Sequence, residues 1–256
     1  MTSLDHPLTD VATIAPLGHQ DGLDLFAVEL QRHLDLMRDL TATDWAAQTE
    51  CPDWDVRQMY LHILGACESG ASNGELVHQM RTAMALRKRA GGSLEAALTA
   101  TQVAERIDLT PDDITARFAA VAPVTVRKRR GLPALLRKAK MTIDGPVFEK
   151  WTIGYLVDVI YTRDAWMHRI DVCRATGRSP VLTPEQDGRI VADVVSEWAG
   201  RHGRPFTLSL TGPAGGVFTG GGGDASAVLT IDAVDFCRTL AGRAPASGLL
   251  ATIVPF

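Results

Sequence analysis

Asp164, His168 and Asp171 fall where a helix should be apolar. Between about residues 152 and 175, Ile153, Leu156, Val157 and Ile160 form one stripe at 100° per residue. Continued, the stripe passes through Asp164, Met167, His168 and Asp171. Burying such groups without partners is costly, so each needs one. Asp164 and His168 are four residues apart and therefore neighbours on one face. A carboxylate and an imidazole so placed can share one metal ion, as two histidines at this spacing do in the HExxH zinc motif. The same spacing also suits a hydrogen-bonded or ion-paired couple without metal. His62, at the edge of the apolar stripe of another helix, is the candidate third ligand, although a lone flank histidine is also satisfied by an ordinary partner. Two nitrogens and one oxygen leave a coordination position open, as in catalytic rather than structural zinc sites.

The elements that must position these residues are mainly helical. After an irregular lead-in of twenty residues, Leu23, Phe26, Ala27, Leu30, Leu34 and Met37 repeat at helical spacing. A loop over 41–54 leads to a helix capped by Asp53 or Asp55 and running to about Glu68, with Val56, Met59, Tyr60, Ile63 and Cys67 inward. Residues 74–107 read as one or two helices broken near Gly91-Gly92. Thr110-Pro111-Asp112-Asp113 starts a helix reaching about Val121. A basic, proline-punctuated segment over 127–140 precedes the 152–175 helix, which stops at Gly177. Thr183-Pro184-Glu185-Gln186 starts a helix ending near Gly203. Beyond it, Phe206–Leu210 alternates as a strand, Gly212–Gly223 reads as a glycine-rich turn region, Ala227–Ile231 as a second strand and Val234–Leu240 as a short helix. The expected organisation is an all-helical domain over 20–180 and a small α/β domain over 181–256.

Composition excludes several classes. The 256 residues are 46% hydrophobic and 22% charged, as in ordinary globular proteins. A net charge of −4 speaks against a general nucleic-acid binder. No apolar run reaches the roughly 18–20 residues of a membrane span, and Met1–Gln20 shows no basic segment followed by an apolar one. Cys51, Cys67, Cys173 and Cys237 form no CxxC pair. Reduced thiols and a cytoplasmic location are expected. Gly220–Gly223 lacks the Lys-Ser/Thr of a phosphate-binding loop, and no serine has a GxSxG context. The basic cluster Arg127-Lys128-Arg129-Arg130 with Arg137, Lys138 and Lys140 lacks interleaved aromatics and reads as a solvated loop; contact with an anionic substrate or acidic partner is the other reading.

Cys51-Pro52-Asp53-Trp54-Asp55-Val56-Arg57, followed by His62, resembles a signature of the mycothiol-dependent maleylpyruvate isomerase family, within the DinB-like four-helix-bundle superfamily. Asp164 to Asp171 is similar to its second signature: an acid, three residues, a histidine, then an acid three further on. The likeness covers the N-terminal two-thirds, and the remainder is similar to the sterol-carrier-like C-terminal domain of longer members. It implies a divalent metal, usually zinc, held by His62, Asp164 and His168, with mycothiol approaching the metal. Many members carry Glu where Asp164 stands, so the carboxylate here is one methylene shorter. A metal-bound thiol loses its proton and becomes a nucleophile at neutral pH. Addition to an activated double bond, rotation and elimination would isomerise a substrate; addition or displacement without return would make a transferase.

Around these ligands, Asp171 reads as orienting a histidine or pairing with Arg57, or as an acid bonded to nearby backbone. Trp54 reads as packing and Cys51 as a small apolar residue. Arg243, in Leu240-Ala241-Gly242-Arg243, resembles a Gly-Arg pair of the family's C-terminal domain. It reads either as a cofactor-binding carboxylate contact at a domain interface or as a surface Arg. No residue is assigned a catalytic role. Three functions fit: a mycothiol-using isomerase acting on a small electrophile, a thiol S-transferase in detoxification, and a non-catalytic carrier of a small ligand or lipid. The partners expected are small molecules, with the chain as a monomer or homodimer.

Overall fold

Phe26, Leu30, Leu34 and Met37 do form one buried row, on helix α1 (His19–Asp39). They meet Val56, Met59, Tyr60, Ile63 and Cys67 of α3 (Val56–Ala71) and Ile114, Phe118 and Ala122 of α6 (Pro111–Arg130). Ala165 and Val172 of α8 (Tyr161–Ala175) close this core. Between these run α2 (Ala42–Trp45), α4 (Asn73–Ala90), α5 (Leu94–Ala104) and α7 (Ala134–Arg137). The computed structural model describes residues 7–144, 148–222 and 227–256; the first six residues of the lead-in and Gly223 of the glycine-rich region lie outside them. The chain divides into two compact units, Gly18–Pro180 and a second made of the N-terminal segment to Leu17 with Val181–Phe256.

In the first unit, α3 packs on α6, α1 on both α6 and α8, and the α4–α5 pair lies against α3. Helix starts follow the local chemistry. Asp55 rather than Asp53 caps α3, its side chain accepting from Gln58 N while Gln58 returns the bond. Thr110 and Asp113 form the same box at α6. Gly91, at φ 76°, ends α4 at the expected break.

Three features of this unit depart from expectation. First, α6 continues past Val121 through Pro123 to Arg130. An interior proline is costly, but Ile114, Phe118, Ala122, Thr125 and Arg129 keep one buried row across it, and four basic residues face the negative end of the helix. Second, β2 (Lys140–Asp144) and β3 (Phe148–Thr152) form an antiparallel hairpin in a unit expected to be all-helical. Third, Tyr155–Ile160 is a π-helical turn leading into α8. Its widened pitch breaks the 100° arithmetic: Asp158, Val159 and Ile160 are buried there, while Leu156 and Val157 are half-buried.

The second unit holds β4 (Phe206–Thr211), β5 (Gly216–Gly220) and β6 (Val228–Asp232), with α9 (Arg189–His202) and α10 (Ala233–Leu240). Alternation in β4 points Phe206, Leu208 and Leu210 inward. Trp198 of α9 meets Phe206 and Phe236 edge-on, with centroids 4.8 and 5.3 Å apart. The lead-in is not wholly irregular: Leu8–Asp10 is strand β1, parallel to β5, giving the order β1-β5-β4-β6. The glycine-rich region likewise contains a strand, β5, antiparallel to β4. The fold class is the expected one, mainly helical with a small α/β unit following the bundle.

Candidate functional site

Within the first unit, α3 brings His62 and α8 brings Asp164 and His168 to one point. A donor atom of each lies within 4.8 Å of the others. His168 Nε2 is 3.1 Å from one oxygen of Asp164, and His62 Nε2 is 4.0 Å from the other. The imidazoles stand edge to face, centroids 5.3 Å apart at 84°. Both histidines are buried and Asp164 is half-buried.

Each histidine is held from behind. Asp171, fully buried, lies 3.2 Å from His168 Nδ1. Gln102 of α5 bonds His62 Nδ1 through Oε1 at 2.8 Å. Trp54 stacks on His62 at 5.0 Å and 29°. The turn carrying Trp54 is ordered by Gln48 Nε2, which donates to the carbonyls of Thr49, Cys51, Pro52 and Trp54, and by Thr49 Oγ1, which donates to the Trp54 carbonyl at 2.7 Å. Gly65 lets α5 approach, since a Cβ there would stand 2.7 Å from Gln102 Cβ.

The two histidines differ electrostatically. Burial drives His62 down to about 4, against the nearby Asp164 carboxylate, so it is neutral at pH 7. Burial also opposes charge on His168, but Asp164 and Asp171 on either side outweigh it and raise it to about 9. With Nδ1 of each ring held, both rings turn Nε2 toward Asp164. Two imidazole nitrogens and a carboxylate oxygen, each histidine held through its other nitrogen, suit a divalent cation such as zinc.

Other residues depart from the sequence reading. Arg57 does not pair with Asp171; its guanidinium donates to the carbonyls of Leu109, at 2.9 Å from Nη2, and Ile107, tying α3 to the start of α6. The expected Arg57–Asp171 pair gives way to the backbone because the 107–109 turn offers carbonyls that no helix uses. Cys51, half-buried, packs against the core as expected of a small apolar residue. Its sulfur also lies within 4.8 Å of donor atoms of His168 and Asp171. Arg243 lies in the second unit just after α10, half-buried, its N–H donating to the Arg238 carbonyl. Gln102 was missed. The signal available was its place at spacing four after Leu94 and Leu98, a polar residue continuing an apolar row.

These features define a class: a helical bundle with an interior His–Asp–His donor cluster, followed by a small α/β unit. A family model described as the mycothiol maleylpyruvate isomerase N-terminal domain matches residues 26–173, more than half of the chain. The chain belongs to that family. Among solved structures, the mycothiol-dependent maleylpyruvate isomerase is similar at 13% identity and a TM-score of 0.57, and a histidine-to-alanine variant of it at 13% and 0.56. Each comparison covers 92% of this chain and 92% of the other. At this identity the likeness is one of fold. No curated protein matches the chain by sequence.

Proposed function

We propose that this chain is a metal-dependent, mycothiol-using enzyme of the maleylpyruvate isomerase type, acting on a small electrophile, with His62, Asp164 and His168 holding a divalent metal. The observation that carries this reading is the convergence of the three donors within 4.8 Å on two helices, in a chain of this family. When bound, such an ion supplies Lewis acidity that favours the thiolate form of a thiol beside it at neutral pH.

The chain's own residues do the rest. Asp171 accepts a hydrogen bond from His168 Nδ1–H, which leaves Nε2 for the ion. Gln102 holds His62 from the opposite side. Trp54 covers one face of the His62 ring and keeps water from it. The half-buried Asp164 contributes the single negative charge of the donor set, so a divalent ion there keeps net positive charge and favours an anionic ligand. Among the described residues, no helix is long and apolar enough to cross a membrane.

The test is elemental analysis of the purified chain. Near-stoichiometric divalent metal, lost in His168→Ala while the helical circular-dichroism signal stays, is expected. Full occupancy in His168→Ala removes the ligand assignment, and no metal after incubation with zinc removes the metal reading. With metal bound, thiol recovered unchanged after turnover identifies an isomerase; stoichiometric thiol loss identifies a transferase.

A further inference from the structure

Behind His62 a chain of buried amides leads to the outer face of α3, α4 and α5. His62 Nδ1 bonds Gln102 Oε1 at 2.8 Å, Gln102 Nε2 donates to Gln79 Oε1 at 3.0 Å, and Gln79 Nε2 donates to the Gly65 carbonyl at 2.9 Å and to Glu75 at 2.8 Å. Glu75 and Glu68 in turn bind Arg106, each within 2.7 Å. Gln79 and Gln102 are 0% and 3% exposed, so no water competes for these bonds.

The direction of this chain is set at its outer end. The Gly65 carbonyl and the Arg106-bound Glu75 carboxylate only accept hydrogen bonds, so Gln79 must present its NH2 to both. Its oxygen then faces Gln102 and accepts. Gln102 must therefore turn its own oxygen toward His62, and Nδ1 must carry the hydrogen. Reversing every amide would set the Gln79 oxygen against two acceptors at once, which is unfavourable in a buried site. A neutral imidazole with hydrogen on Nδ1 has its lone pair on Nε2, the atom facing Asp164.

We infer that Gln79 and Gln102 are positioning residues that fix the tautomer of His62, so that the ring meets a metal with its Nε2 lone pair already exposed. The inference rests on the metal reading above for its purpose but not for its test. Neither residue hydrogen-bonds Asp164 or His168; Gln102 acts through His62, and Gln79 through Gln102.

The experiment is long-range proton–nitrogen NMR of the metal-free full chain labelled with 15N-histidine, with zinc affinity measured in parallel by competition. In the wild type the His62 Nδ1 signal should be of the protonated type and Nε2 of the lone-pair type; the opposite pattern overturns the inference without any variant. Gln79→Met frees Gln102 to turn over, and both tautomers should then be populated. Adding Gln102→Glu to that variant restores, above the carboxyl's own titration, a group that only accepts, and should restore the Nδ1–H form. Gln102→Leu should lower zinc affinity about 10–100-fold, the usual effect of losing a partner behind a ligand histidine. An unchanged tautomer in Gln79→Met, folded by circular dichroism, overturns the relay while leaving the metal reading intact. The expected tautomers in a chain that binds no zinc would sustain the relay and remove the metal reading.

Discussion

His33 shows at the scale of one residue what the bundle interior does to a titrating group. It is fully buried, edge-on to Tyr60, and its Nε2 bonds the Ala165 carbonyl at 2.8 Å. Burial pushes it down to about 3, from an ordinary 6.5. Between those values the unfolded chain takes up a proton that the folded chain refuses. Stability from this group is therefore present above pH 6.5 and lost as the pH falls toward 3, by about 1.4 kcal/mol per pH unit. Denaturant unfolding between pH 6.5 and 4.5 should show a slope that includes this contribution and one of the same sign from His62, and His33→Gln should lower the slope by about 1.4 kcal/mol per pH unit even if it weakens the fold at every pH. An unaltered slope in the variant would mean that His33 does not titrate in this way. His33 stands in the helical pattern of α1, but nothing in its spacing told of the carbonyl it faces, because that partner lies 132 residues away. Asp164, His168 and His62 were legible for the opposite reason. Two share a helix face and the third sits beside a motif. Gln79 was not, because an amide in a charged helix resembles any surface glutamine, and Gln102 gave only the faint signal of a polar residue continuing the Leu94 and Leu98 row.

Helix approach decides whether those residues meet. At Gly65 an added Cβ would fall 2.7 and 2.8 Å from Cβ and Cγ of Gln102, near its root rather than its flexible end. Helix α5 would have to retreat from α3. We expect Gly65→Ala to cost about 1–3 kcal/mol by overpacking, partly offset by about 1 kcal/mol of better helix propensity. It should also break the His62–Gln102 hydrogen bond. Gly200 in α9, with nothing within 4 Å of its added Cβ, is the control, and Gly200→Ala should stabilise by up to about 1 kcal/mol. Equal shifts in urea midpoint for the two variants would remove the close-approach argument. The glycine break at Gly91-Gly92 and the caps at Asp55 and Thr110 were readable because the chemistry that sets them lies within a few residues. The π turn before α8, the passage of α6 through Pro123 and the strands β1 and β5 were not. Each depends on what packs or pairs against it from far along the chain, and the pairing of Leu8 with Val217 has no local signature at all.

Across the whole molecule, the candidate ligands come from positions about a hundred residues apart, on α3 and α8. A metal shared between them fastens two helices of one unit, and an ion that binds only the folded chain must raise its stability by mass action. At free zinc one hundred times its dissociation constant the gain is about 2.7 kcal/mol. For a chain of this size each kcal/mol moves the midpoint by roughly 2–4 °C, so zinc should raise it by roughly 5–11 °C over chelator-treated protein. The helical circular-dichroism signal should report the shift, because the ligands lie in the first, mainly helical unit, and the described residues of the second unit supply none. Asp164→Asn removes the one charge in the donor set while keeping its shape, so most of the shift should vanish. In chelator the Asn variant has no metal to lose, and its midpoint there isolates the loss of the Asp164–His168 contact. A wild-type midpoint that does not move with zinc would remove the metal reading for the molecule as a whole, however well the three side chains converge. A shift retained in full by Asp164→Asn would place the ion elsewhere, on donors such as Cys51, His168 and Asp171, which also lie within 4.8 Å of one another.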